Sequence, residues 1–162
     1  MGLSGNEDFI INLARLVRPK VFVKLGLYQC TLFNKITPYA EKSIGVDIQP
    51  EVGEYMKQSR DTHFINGTTQ EFVKQLETKP LQINMLLFDG ENIKEAGPQD
   101  FHRFFPFIAP QGFILLQDPR PDKTQMIKPG LYDLMKIPDS PGLTICRKRI
   151  GSIDEFRTSR AG

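Results

Sequence analysis

The chain has 162 residues, of which 40% are hydrophobic and 25% charged, and its formal net charge is +2. That length gives one domain with a single sizeable core, and the near-neutral charge gives no electrostatic case for nucleic acid. No apolar run approaches the roughly 20 residues of a membrane span, and the opening G-L-S-G-N-E-D lacks the basic and apolar regions of a signal peptide, so a cytoplasmic protein is expected.

Residues 7–17 place Phe9, Ile10, Leu13, Leu16 and Val17 on one helical face. Arg18-Pro19 ends that helix, because proline biases its predecessor out of the α region. Val21, Phe22 and Val23 then read as a buried strand, followed by a turn at Gly26 and a helix from about Thr31 that Pro38 must end or kink. A second apolar strand, Ile44–Ile48, contains Asp47, and Pro50 is placed to begin a helix running to about Gln58. Phe64 and Ile65 form a short third strand. Thr68-Thr69-Gln70-Glu71 has the pattern of a capping box, opening a helix that buries Phe72, Val73 and Leu76.

Ile83–Phe88 is nearly all apolar, as a strand covered on both faces must be, and leads into Asp89-Gly90. Pro98 opens a helix with Phe101, Phe104, Phe105 and Ile108 at i, i+3, i+4 and i+7, although Pro106 interrupts its last turn. Pro110-Gln111-Gly112 is a turn, and F-I-L-L-Q-D is a fifth strand ending at Asp118. After a polar loop, Pro119–Gly130, the segments Leu131–Ile137 and Leu143–Lys148 suggest a hairpin. The alternation of strand and helix from Val21 to Asp118 predicts a parallel sheet with helices on both faces. Residues 1–150 are one domain and 151–162 a polar tail.

The stretch Val21–Leu32 organises this pattern. A strand that breaks at glycine and feeds a helix sets backbone N–H groups beside the strand's carboxyl end, where open α/β sheets bind nucleotide-like ligands. About twenty residues further on, an acid such as Asp47 can accept hydrogen bonds from both hydroxyls of a ribose. The alternative role for Asp47 is to cap the next helix. A dinucleotide fingerprint is excluded, because Tyr28 and Thr31 stand where its second and third glycines would be.

In order and spacing these stretches resemble a compact class I S-adenosylmethionine (SAM)-dependent methyltransferase. The likeness is to small methyltransferase-24-like domains, whose first motif reads E-L-G-x-Y-x-G and whose fourth strand ends in D-G-D-H. The corresponding stretches are Lys24-Leu25-Gly26-Leu27-Tyr28-Gln29-Cys30 and Asp89-Gly90-Glu91-Asn92. The lead-in R-P-K-V-F-V, the strand end G-V-D-I, the turn F-P-F-I-A-P-Q-G and the strand end L-L-Q-D also match, over roughly residues 10–149.

The resemblance implies a three-layer α/β/α Rossmann-like sheet of seven strands, mostly parallel, with a C-terminal antiparallel hairpin. It implies SAM as cofactor and methyl transfer to an oxygen or nitrogen of a small molecule, such as a sugar or natural-product intermediate. Gly26 would admit the methionine part of SAM, with Lys24 beside its amino-acid end. Asp47 and its neighbour Ile48 would hold the ribose side. Asn66–Gln70, with Thr68 and Thr69, would flank the adenine, and Tyr28 would either cover the cofactor's edge or pack on the sheet. Asp89 and Asp118 would face the transferred methyl group, and they are either a magnesium site or two loop-capping acids. The N-terminal helix, the loop after Asp89 and the loop Pro119–Gly130 would recognise the substrate. In that last loop Arg120, Lys123 and Lys128 suit an anionic substrate or a solvated surface.

The chain departs from the pattern at Lys24, where the motif has an acid, at Cys30, where it has glycine, and at Asn92, where it has histidine. An ammonium at Lys24 can pair with Asp89 and oppose a metal there. Cys30, near a helix N-terminus, is either a thiol of lowered pKa or a small buried residue. Cys146 shows no metal-ligand spacing with it, and both read as reduced. These departures define a second reading: a methyltransferase-like binding or scaffolding protein without catalysis, acting through a protein partner or as a homo-oligomer. His63 and His102 read as structural or solvent-facing, and Arg147-Lys148-Arg149 as a solvated strand end.

Overall fold

The computed structural model describes residues 5–88, 98–117, 130–137 and 142–149. In chain order the elements are α1 (Gly5–Val17), β1 (Val21–Leu25), α2 (Thr31–Ile36), β2 (Lys42–Asp47), β3 (Thr62–Asn66), α3 (Thr69–Thr78), β4 (Ile83–Phe88), α4 (Pro98–Arg103), β5 (Ile108–Gln117), β6 (Tyr132–Ile137) and β7 (Leu143–Lys148), with short 3-10 turns at Thr37–Tyr39, Pro50–Tyr55 and Phe105–Phe107. The seven strands form one sheet in the order β3-β2-β1-β4-β5-β7-β6. Pairs from β3 through β5 are parallel, and β7 runs antiparallel to both β5 and β6. The expected mostly parallel sheet with a C-terminal hairpin is therefore observed.

Side-chain alternation along β1 shows why helices are needed on both faces. Val21, Val23 and Leu25 pack with Phe72 and Val73 of α3 and with Phe104 beyond α4. Phe22 turns the other way, toward Ile10 and Ala14 of α1 and Phe33 of α2. A strand buried on both faces cannot alternate apolar with polar, and the central strands are accordingly continuous apolar runs.

Local signals fix several boundaries. The Thr68 hydroxyl accepts the Glu71 N–H at 3.1 Å and the Glu71 carboxylate accepts the Thr68 N–H at 2.7 Å, completing the capping box at the start of α3. Arg18 takes a left-handed conformation (φ 51°) and its N–H donates to Ala14, ending α1 before Pro19.

Tertiary packing overrides other expectations. The face of α1 that meets the sheet is Asn6, Ile10 and Ala14, with Phe9 and Leu13 half-buried beside it. Leu16 is 77% exposed and Val17 is also exposed. The small Ala14 permits close approach of the helix, which turns Leu16 and Val17 toward solvent. The segment after Pro50 is a 3-10 turn ending at Tyr55, not an α-helix to Gln58. Its Gly53 lies under the Phe64 ring, 2.8 Å from where a Cβ would stand.

The phenylalanine-rich helix stops at Arg103, because Pro106 lacks the N–H that would continue it. Ile108 therefore begins β5 instead of closing a helical turn. The turn Pro110-Gln111-Gly112 is an irregularity inside β5. Pairing with β4 jumps from Ile83↔Ile108 to Met85↔Phe113, and Gln111 is left-handed (φ 60°).

The basic run at the end of β7 is only partly solvated. Arg147 and Arg149 pair with Asp133 at 3.1 and 2.8 Å. Lys148 is 1% exposed, and its ammonium donates to the carbonyls of Phe105 and Ile108, both at 2.8 Å. It also lies 4.2 Å from the centre of the Phe105 ring. Burial pulls this amine's pKa below its ordinary value. Among the described residues no helix is long and apolar enough to cross a membrane.

Candidate functional site

The site is built where β1, β2 and β3 end. After Leu25 the chain reverses through Gly26 (φ 80°), Tyr28 (φ 51°) and Cys30 (φ 57°), three left-handed residues in five positions. Glycine adopts that conformation freely, whereas side-chain-bearing residues pay about 1–2 kcal/mol for it. The loop is held by specific bonds. The Gly26 N–H donates to Val46 at 2.9 Å, and the Cys30 N–H donates to Leu27 at 2.8 Å. The Lys24 ammonium, on a side chain only 3% exposed, donates to the Gly26 carbonyl. Leu27 packs over Gly45, where a Cβ would fall 2.7 Å from the leucine's Cδ1.

Asp47 joins this loop to its neighbours. Its Oδ2 accepts the Leu27 N–H at 2.8 Å and its Oδ1 accepts the Gln49 N–H at 2.9 Å. Its backbone carbonyl accepts the Gly67 N–H at 3.0 Å and the Asn66 side-chain amide at 3.1 Å. That same amide also donates to the Ile48 carbonyl at 2.9 Å. Half-buried Asp47 keeps a further lone pair on each carboxylate oxygen, so it can still accept from a ligand's hydroxyl groups.

The structure brings Lys24, Gly26, Tyr28, Asp47 and Ile48 to this carboxyl edge, with Thr68 and Thr69 opening α3 after β3. Tyr28 and Ile48 are 54% and 58% exposed and present apolar surface at this edge. The Thr68 hydroxyl is committed to the helix cap. Asp89, Asn92, Asp118 and residues 119–129 lie outside the described residues. Among the described residues no group of three His, Cys, Asp or Glu side chains could hold a metal.

Cys30 is fully buried. Its Sγ lies 3.5 Å from the Val52 carbonyl, and burial raises the thiol's pKa against the opposing pull of Lys24. Desolvation outweighs the pull of the Lys24 ammonium, so the shift runs opposite to the lowered-pKa alternative. The small buried residue is the reading that holds. His63 is exposed, and His102 is half-buried with its ring 5.4 Å from that of Phe101.

Two further polar features were not legible beforehand. Asn34 clamps the turn after β2, donating to the Tyr55 carbonyl and accepting the Lys57 N–H, both at 2.9 Å. Asn6, 4% exposed at the start of α1, has a side-chain amide nitrogen with no hydrogen-bond partner among the described residues. Neither residue belongs to a local motif that would mark it.

No protein-family model matches the chain, and no curated protein matches it in sequence. Solved structures do match. A methyltransferase from Geobacter sulfurreducens is 11% identical, with 92% of this chain and 80% of that one covered and a TM-score of 0.75. An O-methyltransferase from Bacillus cereus, in complex with SAH, is 10% identical over 92% and 83% of the two chains, with a TM-score of 0.74. The N-methyltransferase NodS from Bradyrhizobium japonicum is 8% identical over 90% and 98%, with a TM-score of 0.70. The chain has the class I SAM-dependent methyltransferase fold, with the seven-stranded sheet and antiparallel final pair described above.

Proposed function

We propose that the chain is a SAM-dependent methyltransferase acting on an oxygen or nitrogen of a small molecule. Residues 1–150 would be its single domain, 151–162 a polar tail, and the cytoplasm its compartment. The observation that carries the reading is the bond from the Leu27 N–H, in the left-handed loop, to the Asp47 carboxylate at 2.8 Å. It draws the glycine loop and the ribose-type acid into one concave edge at the carboxyl ends of the strands.

The residues fit SAM on the ribose side. Asp47 would accept the ribose hydroxyls, Gly26 would admit the methionine chain, and Ile48 and Tyr28 would offer apolar surface to the adenosine. At the amino-acid end Lys24 would meet the cofactor's carboxylate. When bound, SAM supplies an already activated methyl group, so the protein's work is to align a nucleophile and exclude water. Asp89 and Asp118 would stand nearest that chemistry, with magnesium between them as the variant to test.

Lys24 also supports the second reading, a non-catalytic binding or scaffolding protein. An ammonium held on the Gly26 carbonyl stands where the family motif has an acid. Calorimetric titration with SAM and with its demethylated product, with and without magnesium, separates the two. Micromolar binding is expected, and a magnesium requirement would implicate Asp89 and Asp118. Absence of heat at millimolar ligand would end the enzymatic reading. Lys24→Glu is expected to weaken SAM at least tenfold; a gain in affinity would mark the wild-type site as degenerate.

A further inference from the structure

A second concavity lies at the opposite end of the sheet, by the amino ends of β2 and β4. Its volume is about 620 Å3. Its accessible apolar floor is Pro80 and Leu81, with Phe72 and Leu76 of α3 lining it but only 2% and 3% exposed, and Lys42, Lys74 and Lys79 surround it. Among the described residues no carboxylate lines it. Among the described residues none of the three ammonium groups makes a hydrogen bond or ion pair. Glu77, the acid on the same stretch of α3, is occupied by Arg103 at 2.8 Å.

Helix polarity explains only part of this. Lys79 is the C-cap residue of α3, where a cation offsets the helix dipole, whereas Lys74 lies before the last turn. Lys42 is on a strand and gains nothing from that effect, yet it faces the same groove. Three like charges around an apolar floor form a surface complementary to an anion carrying an apolar group.

We propose that this groove docks an acidic segment of a partner protein, with carboxylates on the three lysines and one apolar side chain on the floor. The side chains of Lys74, Gln75, Thr78 and Lys79 are exposed, so the groove is too open to enclose most of a small molecule. Nucleic acid fits less well, because single-strand grooves offer aromatic faces for stacking and Phe72 is only 2% exposed. An apolar centre with a charged rim is the usual anatomy of a protein interface. The site is independent of the methyl-transfer reading, since it shares no residue with the Gly26–Asp47 edge.

The test is titration of the full chain with an acetylated, amidated hexapeptide, Glu-Glu-Leu-Phe-Glu-Glu, followed by NMR and calorimetry at low and high salt. Its glutamine counterpart, inorganic phosphate and a short single-stranded oligonucleotide serve as comparisons. The expected result is sub-millimolar binding of the acidic peptide that weakens with salt, with shifts confined to the groove and much weaker binding of the glutamine peptide. Lys42→Glu/Lys74→Glu/Lys79→Glu should lose roughly tenfold or more in peptide affinity. The milder Lys→Gln triple should lose an intermediate amount, and Lys57→Glu, outside the groove, none. SAM titration of the triple variants should match wild type. Failure of the peptide to bind, tighter binding of phosphate or oligonucleotide, or indifference of the peptide to the lysine changes would each overturn the proposal.

Discussion

Lys24 on β1 and Lys148 on β7 are both sealed from solvent, at 3% and 1% exposure, yet they occupy opposite ends of the sheet. Lys148 lies in the aromatic cluster of Phe101, Phe105 and Tyr132, where its ammonium ties β7 to the carbonyls of the turn that Pro106 imposes. Lys24 lies toward the carboxyl ends of the parallel strands and holds the carbonyl of a left-handed glycine. One lysine braces the turn that Pro106 imposes, and the other shapes the Gly26 loop of the candidate site. Burial of a charged residue therefore does not identify a functional site; the backbone it serves does.

The largest expected effect is on the Lys148 side. Lys148→Met removes a charged donor from the Phe105 and Ile108 carbonyls and should cost about 3 kcal/mol in urea denaturation. Lys24→Met should cost about 1 kcal/mol while disturbing the Gly26 loop. Equal losses would erase the contrast between the two lysines.

The aromatic end should also be the alkali-sensitive one. Burial pushes the Cys146 thiol up to about 12, from an ordinary value of 9.0, and raises Tyr132 as well. The fold keeps these protons while the unfolded chain releases them. Stability should therefore fall as pH rises from about 9 toward 12, by up to about 1.4 kcal/mol per pH unit for each such group. Lys148 acts in the opposite sense, because its lowered pKa makes stability rise as pH climbs toward 10.5. Thermal melts of Cys146→Ala across pH 8–11 should show a shallower decline than wild type. An unchanged slope would place the alkali sensitivity elsewhere.

At the loop end, Asp47→Asn should cost about 1 kcal/mol in stability and at least tenfold in SAM affinity by calorimetry. A stability loss with unchanged SAM affinity would reduce Asp47 to a loop brace. The smallest effect is expected for Cys30→Gly. Relief of the left-handed side chain, about 1 kcal/mol, nearly offsets loss of the buried Sγ, so the melting temperature should move little. A drop of several kcal/mol would mean that Cys30 packing dominates the loop.

The features legible in the sequence were those set by short-range chemistry. Ile83–Phe88 announced a doubly covered strand, Thr68–Glu71 a capping box, Gly26 the turn after the first strand and Asp47 the acid closing the second. Features decided by distant partners were not legible. The rotation of α1 depends on the close approach that Ala14 allows, so Leu16 and Val17 were misplaced. The segment after Pro50 packs its Gly53 against Phe64, eleven residues on, a contact that no local pattern announces. Lys148 reads as polar until the Phe105 and Ile108 carbonyls are brought beneath it. At the site, the glycine and the acid were visible, but the clamps made by Asn34 and Asn66 were not, since a lone asparagine carries no periodic signal.

The convergence of bonds on Asp47 has a kinetic consequence. The amides of Leu27, Gln49 and Gly67 belong to three different connections, yet all end on this one residue. Their hydrogen-exchange rates should be linked, because movement of Asp47 exposes all three to solvent at once. Backbone amides far apart in sequence thus form a single reporter of whether this edge of the protein is closed or open.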